Sequence, residues 1–297
     1  MQIKAPAKIN LALHVTGQRD DGYHLIDSLV VFTDFSDDLS FAPAEADALI
    51  IDGPFAAALQ DHDPQSNLVL KAMALLRRES PQACPPVEIR LTKNLPVASG
   101  IGGGSSDAAA ALKGLNALWN LSLSQTQLQI IGLGLGADVP MCVADAPLQA
   151  TGTGGDIRLL DRFPALDLVL VNPGVEVSTP EIFKALTKKD NRPMSLKSNL
   201  TSVHAVCEWL SAQRNDLQRP AIEQHAVIAD CLAALHDHGA MLARMSGSGA
   251  TCFGICASAG TAQSAASALK RQHPHWFVKA TRSSLVLDQS PGSKARS

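Results

Sequence analysis

Aromatic residues supply only 4% of this 297-residue chain, and Tyr23 is its single tyrosine. Basic charge is not in excess either: 25 Lys and Arg face 28 Asp and Glu, a net of -3. Gripping a nucleic-acid backbone by counterion release needs a positive surplus, so nucleic acid is not an expected partner. Nowhere do about 18 apolar residues run together, which excludes an expected membrane span. The opening MQIKAPAKINLALHV carries Lys4 and Lys8 and lacks the apolar centre of a secretory signal. The six cysteines (84, 142, 207, 231, 252 and 256) form no C-x-x-C pair and no zinc-like spacing with histidine. They are too dilute for a disulfide scaffold, so reduced thiols and a cytoplasmic location are expected.

What the chain does have is a core. Apolar residues make up 46% of it, enough for one large domain or two that share an interface, and global disorder is excluded. Residues 3–15 and 25–35 are β-rich runs separated by the turn-forming GQRDDGYH. Shorter strands are predicted at 49–51, 87–91, 166–171 and 276–281, with two more inside 241–256 around SGSGAT. Helical spacing covers 67–78, 124–133, 201–212, 221–238 and 261–271. Another helix starts at Thr179-Pro180-Glu181, where a cap residue, a first-turn proline and an acid follow one another. The glycine-rich stretch at 147–156 reads as a change of domain, and 287–297 as a disordered tail. The pattern is α+β with two lobes, 1–155 and 156–286.

The densest chemical signal is PVASGIGGGSSDAAAAL, starting at Pro96. Gly100, Gly102, Gly103 and Gly104 leave no Cβ in the way of a ligand and precede Ser105, Ser106 and Asp107, which are helix-start residue types. The free N–H groups and positive end of the helix that follows suit an anion such as a polyphosphate. A tight strand-to-helix connection is the plainer alternative. A Walker A loop is excluded because no Gly-Lys-Ser or Gly-Lys-Thr occurs. The match to G-x-G-x-x-A at 132–137 lacks a preceding strand and a following helix, which argues against a dinucleotide oxidoreductase.

PVASGIGGGSSDAA resembles the phosphate-binding motif of the GHMP kinases, the family of galactokinase and of homoserine, mevalonate and phosphomevalonate kinases. PAKINLALHV at 6–15 and SGSGATCFGI at 246–255 resemble two further motifs of that family. DGYH at 21–24, GADVP at 136–140, NPGVEVSTPEIF at 172–183 and the triplet Asn215-Asp216-Leu217 extend the likeness over most of the chain. The resemblance implies a two-lobed fold, with an N-terminal lobe like ribosomal protein S5 and a ferredoxin-like α+β C-terminal lobe. It also implies ATP as phosphoryl donor, with Mg²⁺ carried on the nucleotide rather than held by a metal site of the protein's own. The implied acceptor is a small molecule, a cytidyl-diphosphate sugar alcohol, bound by a monomer or homodimer. Another GHMP small-molecule kinase and a non-catalytic nucleotide-binding protein of the same fold are the competing interpretations.

The resemblance also assigns residues. Lys8 and Asp138 become a catalytic pair, the carboxylate taking the acceptor's proton and the ammonium steadying the oxygen. The loop from Pro96 to Ser106 (Pro96, Val97, Ala98, Ser99, Gly100, Ile101, Gly102, Gly103, Gly104, Ser105 and Ser106) holds the nucleotide, with Asn67 and Lys93 near the base and ribose. The two serines could meet phosphate or Mg²⁺, or simply cap the helix. Tyr23, His24 and Phe183 read the cytidine, Phe183 having a core role as its alternative, and the Tyr23 and Phe183 rings are expected on either side of the base. Asn10 and Thr179 hold the acceptor, and SGSGAT either closes the site or is a plain hairpin.

Overall fold

The antiparallel hairpin of β1 (Gln2–Gln18) and β2 (His24–Pro43) is the spine of the first sheet. Gly22, at φ 89°, turns the connection, and Arg19 N–H donates to the Tyr23 carbonyl across it. In β1 every residue from Ala5 to Val15 is buried, so the strand reads as an apolar run instead of an alternation. The computed structural model describes residues 1–60, 63, 66–80, 84–197 and 199–284. The tail expected at 287–297 lies outside them.

The far side of β2 is shared by two strands. Its first half pairs with β5 (Leu148–Gly152) and its second half with β4 (Val87–Thr92), both antiparallel. β3 (Ala48–Asp52) runs parallel to β4, and β6 (Asp156–Leu159) completes the sheet beside β5. Four helices accompany it: α1 (Leu68–Glu79), α2 (Gly103–Leu118), α3 (Gln125–Leu133) and α4 (Val139–Ala144). Ala108 to Ala111 let α2 lie close against the sheet, in one core with Phe32, Phe41, Leu76 and Ile89. Ser124 and Gln127 close a reciprocal capping box at the start of α3.

The second sheet has the order β10-β7-β9-β8 and is antiparallel throughout. Its strands are β7 (Asp167–Asn172), β8 (Leu242–Met245), β9 (Cys252–Cys256) and β10 (Phe277–Arg282). With it go α5 (Thr179–Lys184), α6 (Val203–Ser211), α7 (Gln218–Gln224), α8 (Val227–Asp237) and α9 (Ala259–Gln272). No helix among the described residues is long and apolar enough to cross a membrane.

Two expectations are corrected. The glycine stretch near 147–156 is not a junction between domains: it turns the β5–β6 hairpin, so the first sheet reaches Leu159 and passes the expected boundary at 155. Gly152 and Gly154, at φ 65° and 106°, supply the turn. The helix expected at 221–238 is two helices, interrupted at His225 and Ala226. The lobes are also less separable than two sequence blocks suggest. β1 contributes Ala5 to the first core, Ala7, Ile9 and Leu11 to a core between the sheets, and Leu13 and Val15 to the core around β7 and β9.

At Gly100 the glycine loop lies directly against the Ser246–Ala250 turn. Gly100 has φ 74°, and a Cβ there would stand 2.6 Å from the carbonyl oxygens of both Ser246 and Gly249. Gly100→Ala therefore combines backbone strain with a clash against backbone. It should cost at least about 2 kcal/mol and lower the melting temperature by roughly 4 °C or more in calorimetry. Gly104→Ala, whose Cβ would meet only Leu68 Cδ1 at 3.7 Å, is the control expected to change little.

Candidate active site

A cleft of about 1710 Å³ opens between the glycine loop before α2 and the Ser246–Ala250 turn joining β8 to β9. Lys8, on β1, lies at its base and is only 4% exposed. Its Nζ is 2.9 Å from Asp138 Oδ2 and donates to Asn10 Oδ1 at 3.1 Å. Residues two apart on a strand share a face, which is why Lys8 and Asn10 meet. Asn10 is fixed in turn: its Nδ2 donates to Ser28 Oγ at 2.8 Å, and its backbone N–H donates to Ser246 Oγ at 3.1 Å. Asp138 is the residue before α4, where an aspartate commonly accepts from its own helix. Here it makes no such bond, and its side chain, 40% exposed, turns to Lys8 and the cleft.

Gly102 explains how the loop can pass over that lysine. It precedes α2 with φ 67°, and a Cβ would lie 3.0 Å from Lys8 Cε. Pro96, Val97, Ala98, Ser99, Gly100, Gly102, Gly103, Gly104 and Ser105 all line the cleft, as do Asn67 and Lys93. Ile101 and Ser106 do not. Ile101 is fully buried in the core between the sheets, and its carbonyl accepts from Lys8 N–H at 2.9 Å. The Ser106 hydroxyl, expected at phosphate or metal, instead donates to the Pro6 carbonyl at 2.7 Å, because a buried hydroxyl must find a partner. Asn67 caps α1, accepting from Val69 N–H at 2.9 Å.

Lys93 belongs to a buried charge cluster that its sequence context did not signal. Its Nζ donates to Asp37 and, at 2.8 Å, to Asp107 Oδ2. Asp37 also accepts from the N–H groups of Asn94 and Leu95 and is thereby satisfied. Asp107 Oδ1 is buried with no partner. Burial pushes the Asp107 carboxyl up to about 7; Lys93 opposes the rise and the Asp37 charge adds to it.

At the opposite end, Tyr23, His24, Thr179 and Phe183 line the cleft. It is His24 that lies on Phe183, with ring centroids 4.7 Å apart and planes 29° from parallel, while Tyr23 is 64% exposed. DGYH crosses from turn to strand at this point: Tyr23 ends the turn and His24 is the first residue of β2. Burial, then the charge of Lys189, lowers the His24 pKa, and its Nε2 is buried without a partner. Thr179 Oγ1 lies 2.7 Å from Ser248 Oγ, tying α5 to the Ser246–Ala250 turn.

Sequence reasoning missed several residues of this frame. Asn215 Nδ2 donates to the carbonyls of Met245 and Gly247, both at 2.8 Å, and so holds that turn. The Asn215-Asp216-Leu217 triplet was a visible signal, but its partners are 30 and 32 residues away. Leu49, Ile51, Leu59, Leu68 and Met73 form an apolar wall beyond Asn67. Their pattern alone resembles any core. Among the described residues no group of three or more His, Cys, Asp or Glu could hold a metal ion.

The family model for the GHMP kinases N terminal domain matches residues 67–146, and that for GHMP kinases C terminal matches 195–275. A 4-diphosphocytidyl-2-C-methyl-D-erythritol kinase of Mesorhizobium japonicum is 50% identical over 280 residues, 94% of each chain. The enzyme of that name from Rhizobium leguminosarum bv. trifolii is 52% identical over 278 residues, covering 94% of this chain and 93% of the relative. A crystal structure of 4-(cytidine 5'-diphospho)-2C-methyl-D-erythritol kinase superposes with TM-score 0.77 at 30% identity, covering 96% of this chain and 100% of the other. A homoserine kinase from Cytophaga hutchinsonii has the same fold, with TM-score 0.70 at 20% identity over 96% and 94% of the two chains.

The Asp107 environment has a consequence for stability. Because the folded carboxyl holds its proton up to about 7 while an unfolded one releases it near 3.8, the group's contribution falls as pH rises between those values. Asp107→Asn should remove that fall. In denaturant titrations from pH 4 to 8, the stability of the variant relative to wild type is expected to climb with pH and level off above about 7. A pH-independent difference would refute the assignment.

Proposed function

The chain belongs to the GHMP kinase family, and we propose that it transfers the γ-phosphoryl group of ATP to the 2-hydroxyl of 4-diphosphocytidyl-2-C-methyl-D-erythritol, a step of non-mevalonate isoprenoid precursor synthesis. The observation that carries this reading is the contact of Lys8 Nζ with Asp138 Oδ2 at 2.9 Å, in a cleft with the glycine loop at one end and a cluster of rings at the other. The names of the relatives supply the acceptor; the Tyr23, His24 and Phe183 cluster gives a pyrimidine something to stack on, which homoserine and mevalonate would not require.

In this mechanism the acceptor hydroxyl lies against Asp138, held by Asn10 and Thr179. Its oxygen attacks the γ-phosphorus as the bond to the β-phosphate bridging oxygen breaks, ADP departs, and the proton passes to Asp138. Lys8, kept in place by Asn10 Oδ1, stabilises the developing negative charge. The glycine loop and the first turn of α2 present backbone N–H groups to the triphosphate. The apolar wall of Leu49, Ile51, Leu59, Leu68 and Met73 suits a purine face, with Asn67 beside it. Ser105 and Asp138 both line the cleft and are the oxygen donors that would hold Mg²⁺ arriving on the nucleotide, whose charge would offset that of the phosphates. His24 in its neutral form keeps Nε2 open to a hydrogen bond from the base edge. We read the protein as a cytoplasmic enzyme of small molecules, acting as a monomer or homodimer.

An ATP-consumption assay offering the cytidyl acceptor beside homoserine and mevalonate tests the reading: turnover is expected with the first alone. Asp138→Asn should reduce kcat by about 10²- to 10⁴-fold while calorimetry still detects binding of an ATP analogue. Near-normal turnover would remove Asp138 from the mechanism. Tyr23→Ala should raise KM for the cytidyl acceptor about two- to tenfold with KM for ATP unchanged.

A further inference from the structure

The ladder between β1 and β2 slips beside the catalytic lysine. Pro6 pairs with Ser36, but Lys8 pairs with Phe32, so Ala7 alone faces three residues of β2. Such irregularities re-aim side chains near sites and leave backbone groups in need of partners. On the edge of β1 away from β2, the two groups flanking the slip are both taken by the segment that starts α2. Lys8 N–H donates to the Ile101 carbonyl, and the Pro6 carbonyl accepts from the Ser106 hydroxyl.

The same hydroxyl oxygen lies 3.3 Å from Cys142 Sγ. A hydroxyl has one proton, and the 2.7 Å contact to Pro6 uses it, so the thiol turns its own proton toward Ser106. Cys142 is able to do so because burial pushes its pKa up to about 12 and it stays protonated. Ser106 and Cys142 are each 1% exposed. Cys142 stands one helical turn after Asp138, so both project from the same side of α4 toward β1. The two elements are thus joined twice: Asp138 meets Lys8, and one turn along Cys142 meets the serine holding Pro6.

We propose that Ser106 is a positioning residue, joining the Pro6 carbonyl of β1 to Cys142 of α4 so that Lys8 and Asp138 are held in register, and that it is not a ligand of phosphate or metal. The proposal rests on the kinase reading for its kinetic consequence. Of the adjacent pair Ser105 and Ser106, Ser105 is the one that lines the cleft.

The test uses Ser106→Ala, Ser106→Cys and Cys142→Ala in the full-length protein. Ser106→Ala is expected to lower kcat about tenfold, with KM for ATP, the Mg²⁺ concentration for half-maximal rate and the affinity for a non-hydrolysable ATP analogue all within twofold of wild type. Ser106→Cys, which keeps a weak donor, should recover part of the rate. Cys142→Ala, at a residue that does not line the cleft, should lower kcat in the same sense and to a smaller extent; it carries the test if Ser106→Ala does not fold. A rise in KM for ATP or in the Mg²⁺ requirement with kcat retained would overturn the proposal in favour of a ligand role. Unchanged kinetics in Ser106→Ala or in Cys142→Ala would overturn it in favour of a purely structural one. Failure of the wild type to phosphorylate any acceptor counts against the functional reading instead. The analogue titration then still decides the point, since a loss of affinity beyond about fivefold in Ser106→Ala overturns the proposal and retained affinity supports it.

Discussion

A strand buried along its length cannot leave one edge unpaired, and β1 pairs with β2 on one side only. Its other edge is covered by parts drawn from distant positions in the chain. Ser106 takes the Pro6 carbonyl, Ile101 accepts from Lys8 N–H, and Ser246 accepts from Asn10 N–H. Arg244 donates to the Leu11 carbonyl, the Arg214 carbonyl accepts from Leu13 N–H, and Asp216 accepts from Val15 N–H. The glycine loop and the Ser246–Ala250 turn are both drawn to this edge, and the cleft is the space left between them. Asking where the backbone bonds of β1 go therefore locates the site before any catalytic idea is applied.

Two buried lysines show how the same side chain serves different ends. Lys93 sits between two buried carboxylates, and the three groups bind the start of α2 to the first sheet with little access for solvent. Lys8 faces a single carboxylate that is 40% exposed and leaves room in the cleft beside it. The first arrangement is closed and suits a scaffold. The second is open on one side, which is what a reacting hydroxyl would require. Arg244 is a third case: among the described residues no carboxylate pairs with it, its donors go to the carbonyls of Leu11, Leu210 and Gln213, and burial lowers its pKa to about 10.

The motifs made much of this legible. Lys8, Asn10, the glycines and Asp138 were singled out from PAKINL, GGGSSDAA and GADVP, and they line one cleft. The strands flanking SGSGAT and the helix starting at Ser124 were equally plain, because turn glycines and helical spacing are local devices. The errors have a common character. The glycines at 147–156 suit a change of domain or a hairpin turn, and only the pairing of β5 with β6 and β2 decides between them. Ser106 was given to the ligand because its own neighbours do not reveal a carbonyl 100 residues away.

The sequence by itself determined the inventory: helix starts, turn positions, the apolar runs and the residue types able to hold a triphosphate and move a proton. These follow from interactions between residues close in the chain, where propensity, capping and periodicity act. Tertiary structure alone decided which hydroxyl was consumed in holding β1, which lysine was locked between carboxylates, and which ring stacked on Phe183. Each of those outcomes depends on a partner far away in sequence, and burial leaves a polar group only the partner that the fold brings to it.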